Sequence, residues 1–185
     1  MNLIQDFDFL VHGENKISSQ KFLPMKILIF SLACMAFLSA NAQTPAQNKA
    51  VTDAFYVAFN GDAATFDASA LVAPDFIDHA IPSDVWMQMG ANGIERFQNS
   101  IVAFKQAFPD VHVRTLKTVA EGNTVMVYLE MTGTFKNDFM GMKATGKSFK
   151  LNDVDIVEFN NSGKAIAHWA VQDAAVMWMQ LGVKM

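Results

Sequence analysis

The hydrophobic period of this chain changes from that of a helix to that of a strand near residue 110. Upstream, one apolar stripe recurs at steps of three and four residues and consists of Ile94, Phe97, Ile101, Phe104 and Phe108. The stripe predicts a helix from Asn92-Gly93 to the stop at Pro109. From Val111 onward, apolar and polar residues alternate, which is the period of strands. Helices first and antiparallel strands afterwards predict an α+β fold.

The same patterns predict the order of the elements. A helix covers Val51 to Phe59, a short second helix covers residues 63–72, and irregular chain surrounds Trp86. Strands are predicted at residues 111–119, 125–135, 149–159 and 165–172, and a last helix at residues 173–181. We therefore expect a curved, antiparallel-rich sheet with helices packed on its concave face.

The first 42 residues have the pattern of an export signal. Met25-Lys26 is a short positive start, residues 27–38 form an apolar run, and Ala40-Asn41-Ala42 is a small-x-small cleavage site. We expect residues 25–42 to be a signal peptide, residues 1–24 an over-extended leader, and residues 43–185 a single domain. The protein would then be secreted or periplasmic, without a stable membrane anchor. The one cysteine, Cys34, lies in the signal, so the mature chain would lack thiol chemistry.

Composition and motifs exclude several classes of function. The net charge of −4 is spread without a basic stripe, which argues against a nucleic-acid partner. The mature histidines His79, His112 and His168 lack metal-ligand spacing, and no HExxH, GxSxG, Walker or GxGxxG motif is present. We expect neither metal nor cofactor. Sixteen Phe and three Trp instead favour a cavity for an apolar small molecule.

The last hairpin supplies the candidate site. A four-residue loop from Asn160 to Gly163 separates its strands, and strand alternation divides their side chains between two faces. The more apolar face is predicted to line the cavity, and its members are Asn152, Val154, Ile156, Glu158, Trp169, Val171 and Asp173. The other face carries His168 beside Asp155, which we expect to form an ion pair on the outer face or at an interface.

Asp173 is the leading catalytic candidate, because an acid among apolar side chains has a raised pKa suited to a general base. The alternative is that Asp173 serves only as the N-cap of the last helix. Glu158 is either a ligand contact or a solvated edge residue. His79 is either a polar partner in catalysis or a surface pair with Asp78, and the nearby Trp86 is expected to contact the ligand.

Several segments resemble the SnoaL-like polyketide (ester) cyclase family, and together they cover essentially all of residues 50–182. They are residues 72–79 (VAPDFIDH), 107–110 (AFPD), 121–123 (EGN), 133–135 (GTF), 144–147 (ATGK), 163–173 (GKAIAHWAVQD) and 180–182 (QLG). The resemblance implies a cone-shaped α+β barrel, shared with ketosteroid isomerase and nuclear transport factor, and commonly a homodimer.

By resemblance, the family's cyclases close a ring by an intramolecular aldol reaction without metal or cofactor, and an aspartate matching Asp173 is the acid/base. This chain has Glu158 where the family usually has Arg or another polar donor, and Ala167 where it has Glu. Two hypotheses follow. The protein is a cofactor-free cyclase or isomerase that enolises an apolar carbonyl compound, or a binding protein that holds an apolar ligand unchanged.

Overall fold

A computed structural model describes residues 43–183 of the chain. The expected leader and signal peptide, with Cys34, lie outside the described residues. The helices are α1 (Pro45–Asn60), α2 (Ser83–Gln88), α3 (Gly93–Ala107) and α4 (Ala174–Leu181). The strands are β1 (Val72–Asp78), β2 (His112–Glu121), β3 (Thr124–Thr134), β4 (Ser148–Phe159) and β5 (Ala165–Ala170).

The two long helices begin at side-chain caps. Thr44 and Gln47 form a reciprocal capping box at the start of α1, with Pro45 in its first turn. Asn92 accepts a hydrogen bond from the backbone N–H of Glu95 at the start of α3. Their apolar faces meet in a group of edge-to-face and tilted aromatic rings that includes Phe55 and Phe97, 5.8 Å apart between centroids.

The strands form one five-stranded sheet in the order β1-β5-β4-β3-β2. The four predicted strands are present and pair as an antiparallel meander. Strand β1 was not predicted. It lies parallel to β5 and overlaps the helix predicted over residues 63–72 only at Val72. That stretch contains only two 3₁₀ turns, Ala63–Thr65 and Ala68–Ala70, and Trp86 lies in the short helix α2 rather than in irregular chain.

The predicted α+β class is confirmed, with the helices covering one face of the sheet. The sheet is not closed, since β1 and β2 are its two edges, so the cone is an open half-barrel. The core consists largely of Phe, Val and Leu side chains from the helices and from the covered face.

No helix within residues 43–183 has the length and apolarity needed to cross a membrane. The sheet has two faces, a covered face under the helices and an outer face away from them.

Candidate functional site

A cavity of about 330 Å³ lies between the helices and the covered face of the sheet. Its wall is mostly aromatic and aliphatic, with Phe55, Phe59, Phe97, Phe104, Phe139 and Trp178 among its members. The volume is at the lower end of the range for small-molecule pockets, which is about 300–1,000 Å³. The cavity therefore suits a compact apolar ligand.

One wall of the cavity carries a continuous chain of polar side chains. The phenol of Tyr56, on α1, donates a hydrogen bond of 2.6 Å to Oδ2 of Asp155, on β4. The other oxygen of Asp155 lies 3.3 Å from Nε2 of His168, on β5. Nδ1 of the same histidine lies 2.9 Å from Oδ1 of Asp78, at the end of β1. A helix and three adjacent strands thus contribute to one network.

His168 is held as an imidazolium between two carboxylates. Burial alone would lower its pKa, but the hydrogen bonds and charges of Asp155 and Asp78 outweigh burial and raise the pKa well above its usual range. Nδ1–H then donates a hydrogen bond to Asp78, and the Nε2 side of the ring forms an ion pair with Asp155. Tyr56 stays protonated as well, since burial and the neighbouring charge of Asp155 raise its pKa. These side chains form a charged network in which hydrogen bonds and ion pairs fix the position of each member.

Asp153 differs from these residues because one of its oxygens lacks a partner. It lies two residues before Asp155 on the same face of β4, lines the cavity and is 3% exposed. Its Oδ1 is buried and makes no hydrogen bond within residues 43–183. Burial, followed by the charge of Asp155, raises its pKa to about 6. This carboxyl is therefore poised to exchange a proton near neutral pH.

The sequence-based choice of the cavity face is wrong. Asp153, Asp155, Val157 and His168 line the cavity. The predicted contacts lie on the opposite, outer face, partly buried or exposed, and they are Asn152, Val154, Ile156, Glu158, Trp169 and Val171. The cause is composition. The outer face is the more apolar of the two, and apolar composition was the criterion used to predict which face lines the cavity.

Asp173 is exposed and caps α4, where it accepts a hydrogen bond of 3.2 Å from the backbone N–H of Val176. The prediction that it faces the cavity is wrong, and its position is that of the helix cap considered as the alternative. His168 points into the cavity, contrary to the predicted outer-face pair. Its predicted neighbour Asp155 is nonetheless one of its two partners.

His79 and Trp86 also lie away from the cavity lining. The His79 ring stacks on Trp169 on the outer face, with 4.7 Å between centroids and 4° between planes. Its expected partner, Asp78, bonds His168 instead. Trp86 is 2% exposed and packs edge-to-face on Phe76 in the core. Neither residue contacts the polar network through its side chain.

The hairpin register also differs from the predicted one. Phe159 pairs with Ala165 rather than Lys164, and a bulge at the next position sets Glu158 opposite Ala167. As a result, Ala165 lines the cavity beside Phe159. Beyond the bulge, the shift amounts to two residues, so the division of side chains into two faces is preserved.

The donor set does not indicate a metal centre. Within residues 43–183, no three or more His, Cys, Asp and Glu side chains are arranged to hold a metal ion. The two acids nearest His168, Asp78 and Asp155, both form ion pairs with its ring and so neutralise that cation. The chemistry of the described site is therefore that of carboxylates, an imidazolium and a phenol.

Comparisons with known proteins agree with this architecture. The family model described as SnoaL-like polyketide cyclase matches residues 50–181. No curated protein matches the chain. Among solved structures, TsrD from Streptomyces laurentii has a TM-score of 0.64 and 21% identity, over 77% of this chain and 99% of that one.

Two further structures are similar. A SnoaL-like polyketide cyclase from Agrobacterium tumefaciens has a TM-score of 0.58 and 18% identity, with coverage of 73% of this chain and 98% of that one. IdmH from Streptomyces antibioticus has a TM-score of 0.56 and 27% identity, with coverage of 74% and 99%. All three are similar over nearly their whole length to the part of the chain that carries the cavity.

Proposed function

Because this chain belongs to the SnoaL-like polyketide cyclase family, we propose that it is a cofactor-free cyclase or isomerase that enolises an apolar carbonyl compound. Asp153 is the general base. Its carboxylate takes a proton from the carbon beside the carbonyl, and the C–H electron pair moves into a carbon–carbon double bond as negative charge develops on the oxygen. The enolate carbon then attacks a second carbonyl, whose C=O π electrons move onto its oxygen as that oxygen takes the proton back from Asp153; in an isomerase, the enolate instead takes the proton back from Asp153 at another carbon.

The observation that carries this proposal is the unpaired, buried oxygen of Asp153 in an apolar cavity. Burial of Asp153, with one oxygen that accepts no hydrogen bond, raises the pKa more than the backbone N–H groups of Val154 and Val171 lower it, and a pKa of about 6 leaves the group ionised at neutral pH. Asp155 is an inferior candidate, since Tyr56 and His168 already occupy its two oxygens. The proposal therefore assigns proton transfer to Asp153 alone.

The surrounding network supplies position and charge. His168 is close enough for its positive charge to lower the pKa of Asp153, which opposes the effect of burial. The same charge would stabilise an enolate oxygen bound in the cavity, in surroundings of low dielectric where such a charge acts strongly. Tyr56 holds Asp155, and Asp155 and Asp78 hold His168. We assign positioning roles to Tyr56, Asp155 and Asp78.

The proposal is tested by proton exchange at carbon, which needs no knowledge of the natural substrate. We expect residues 43–185, expressed as a mature chain, to accelerate exchange of the α-protons of 2-tetralone or benzoylacetone in D₂O, followed by NMR. The rate should saturate with ketone concentration and rise with pH through about 6, as Asp153 ionises. Ketone binding without acceleration at any pH would contradict the enzymatic proposal.

A binding function is the second candidate, and one observation favours it. Tyr56 and both ring nitrogens of His168 already face carboxylates, so these donors have no free N–H or O–H to offer an oxyanion. A protein that only holds an apolar ligand needs no such donor. Quenching of the intrinsic tryptophan fluorescence by both ketones, through Trp178 in the cavity wall and without exchange, would support the binding function.

The proposal includes export from the cytoplasm, supported by the signal-like pattern of residues 25–42. N-terminal sequencing of the exported protein should begin at Gln43. A mature protein that retains Met25 would contradict this part of the proposal.

A further inference from the structure

The hydrogen-bond donors of the cavity lining are mostly in use. Four side chains of the lining have N–H or O–H groups that already face an acceptor, and they are Thr52, Ser100, Tyr56 and His168. The lining also includes the Gln172 amide and the Trp178 indole, and neither is hydrogen-bonded to an acid of the wall within residues 43–183. The polar wall therefore offers a ligand mainly acceptors.

Asp153 provides the acceptor that lacks a donor. The other two acids of the wall, Asp78 and Asp155, both face His168. Oδ1 of Asp153 is buried and has no hydrogen-bond partner among the described residues. A buried acceptor without a donor is unfavourable, and a ligand N–H that bonds it removes this penalty. The hydrogen bond is stronger when both groups are charged, so a cationic donor fits this oxygen best.

The cavity lining also carries a net negative charge. Its ionisable side chains come from α1, β1, β4 and β5, include no Lys or Arg within the described chain, and are Tyr56, Asp78, Asp153, Asp155 and His168. Tyr56 is neutral and His168 is a cation, because the pKa of each is raised. At pH 8, where Asp153 is ionised, three carboxylates face a single imidazolium. In surroundings of low dielectric, this excess favours a bound cation and disfavours an anion.

The apolar part of the lining suits a cation as well. Aromatic rings line much of the cavity, among them Phe55, Phe97, Phe104 and Trp178. The face of an aromatic ring attracts a cation within about 6 Å, and the attraction is stronger where water is excluded. The same rings can bury the hydrocarbon part of a ligand. A compact hydrocarbon that carries one ammonium group therefore matches both parts of the lining.

We infer that the cavity binds a compact apolar amine as its ammonium ion, which donates a hydrogen bond to Oδ1 of Asp153. The inference concerns the cavity of the proposed function but does not depend on enolisation, since binding of a cation needs no proton transfer. The two are compatible. In enolisation the negative charge of Asp153 passes to the enolate oxygen, so the number of negative charges in the cavity does not change.

The first test compares three ligands that share the tetralin ring system and differ in charge. They are 2-aminotetralin, 2-tetralol and tetralin-2-carboxylate, titrated into the mature protein by calorimetry at pH 8. We expect the ammonium ion to bind at least about 10-fold more tightly than the alcohol, and the carboxylate to bind most weakly. The alcohol also donates a hydrogen bond, so its comparison with the amine isolates the charge. An alcohol or carboxylate that binds as tightly as the amine would overturn the inference.

A substitution tests the position of the ammonium group. Asp153→Asn keeps the size of the side chain and removes its charge, so the affinity for 2-aminotetralin should fall by at least about 10-fold while that for 2-tetralol changes little. Asp173→Asn is the matched control at an exposed acid outside the cavity, and it should change neither affinity. An amine affinity that survives in Asp153→Asn would place the ammonium group elsewhere and contradict the inference.

The pH dependence provides a measurement on the unaltered protein. An alkyl amine has a pKa of about 10, near that of lysine, so the ligand stays protonated between pH 5 and 8. His168 remains a cation and Tyr56 remains neutral over the same range. Asp153 loses its charge as pH falls through about 6. The amine should therefore bind about 10-fold more weakly at pH 5 than at pH 8, and 2-tetralol equally at both. An amine affinity that is constant between these pH values would refute the inference.

The result can be separated from the fate of the proposed function by the exchange assay with 2-tetralone. Exchange without a preference for the amine would overturn the present inference and leave enolisation in place. A preference for the amine without exchange would support the inference and contradict enolisation. Where both hold, 2-aminotetralin should inhibit the exchange of 2-tetralone competitively, because the two ligands occupy one cavity.

Discussion

Asp153→Asn is expected to slow the exchange of ketone α-protons by about 10²–10⁴-fold, the usual contribution of a positioned general base. Asparagine has the size of aspartate, but its amide cannot take up the proton. The lining of the cavity is otherwise unchanged, so the ketones should bind with nearly the wild-type affinity. Exchange rates from NMR and affinities from intrinsic tryptophan fluorescence separate the two effects.

The matched control is Asp173→Asn, the same substitution at an exposed acid outside the cavity. Asparagine caps a helix about as well as aspartate, so neither stability nor exchange should change measurably. An unchanged exchange rate in Asp153→Asn, or a loss of rate in Asp173→Asn, would remove Asp153 from the mechanism.

The same substitution has a consequence for stability. The folded pKa of Asp153, about 6, is above the ordinary value of 3.8. Its ionisation therefore opposes folding, by an amount that grows between pH 4 and 6 and is complete above pH 6. Asp153→Asn should raise the free energy of unfolding by about 1–3 kcal/mol at pH 8 and change it little at pH 4. Urea unfolding at both pH values measures the difference.

His168→Ala is expected to lower the free energy of unfolding by about 3–5 kcal/mol at pH 6, the usual cost of removing one member of a buried charge network. The substitution leaves Asp78 and Asp155 without the cation that bonds them both. It should also slow ketone exchange, because the positive charge that would stabilise the enolate oxygen is lost. His79→Ala is the matched control, since it removes an exposed histidine that lies outside the network.

The pH dependence has a definite sign. The folded pKa of His168 is raised above its ordinary value of 6.5, so the stabilisation from its positive charge is complete below pH 6.5. That stabilisation declines as pH rises through the raised folded value. The difference in the free energy of unfolding between wild type and His168→Ala should therefore become smaller in alkaline solution. A difference below about 1 kcal/mol at pH 6 would contradict the described network.

Local patterns were sufficient for most of the fold. The stripe from Ile94 to Phe108 and the alternation after Val111 predicted α3 and four strands, because each pattern reports a face buried against the same core. Strand β1 was missed for a physical reason. Its residues Val72–Asp78 include Pro74 and pair in parallel with a strand that is distant in sequence, so no local alternation or hairpin turn marks it.

The candidate site was harder to predict. The sequence paired His168 with Asp155 correctly, but it could not reveal which face of the sheet the helices cover. Hydrophobicity favoured the face with Ile156 and Trp169 over the face with two acids and a histidine. The spacing of Asp153 and Asp155 was the available signal, since two acids on one strand face beside a histidine are expensive to bury without a role. Tyr56 and Asp78 join the site only through tertiary packing.

The most direct test of the central claim is the titration of the Asp153 side-chain carboxyl, followed by its ¹³C chemical shift in the mature protein and assigned by its absence in Asp153→Asn. A carboxyl that is buried in the cavity wall and lacks a partner for one oxygen should titrate near pH 6. Binding of 2-tetralone should change its midpoint, because the ligand displaces water from the cavity. A midpoint near 3.8, unaffected by the ketone, would show a solvated or fully paired acid and would contradict the assignment of Asp153 as the general base.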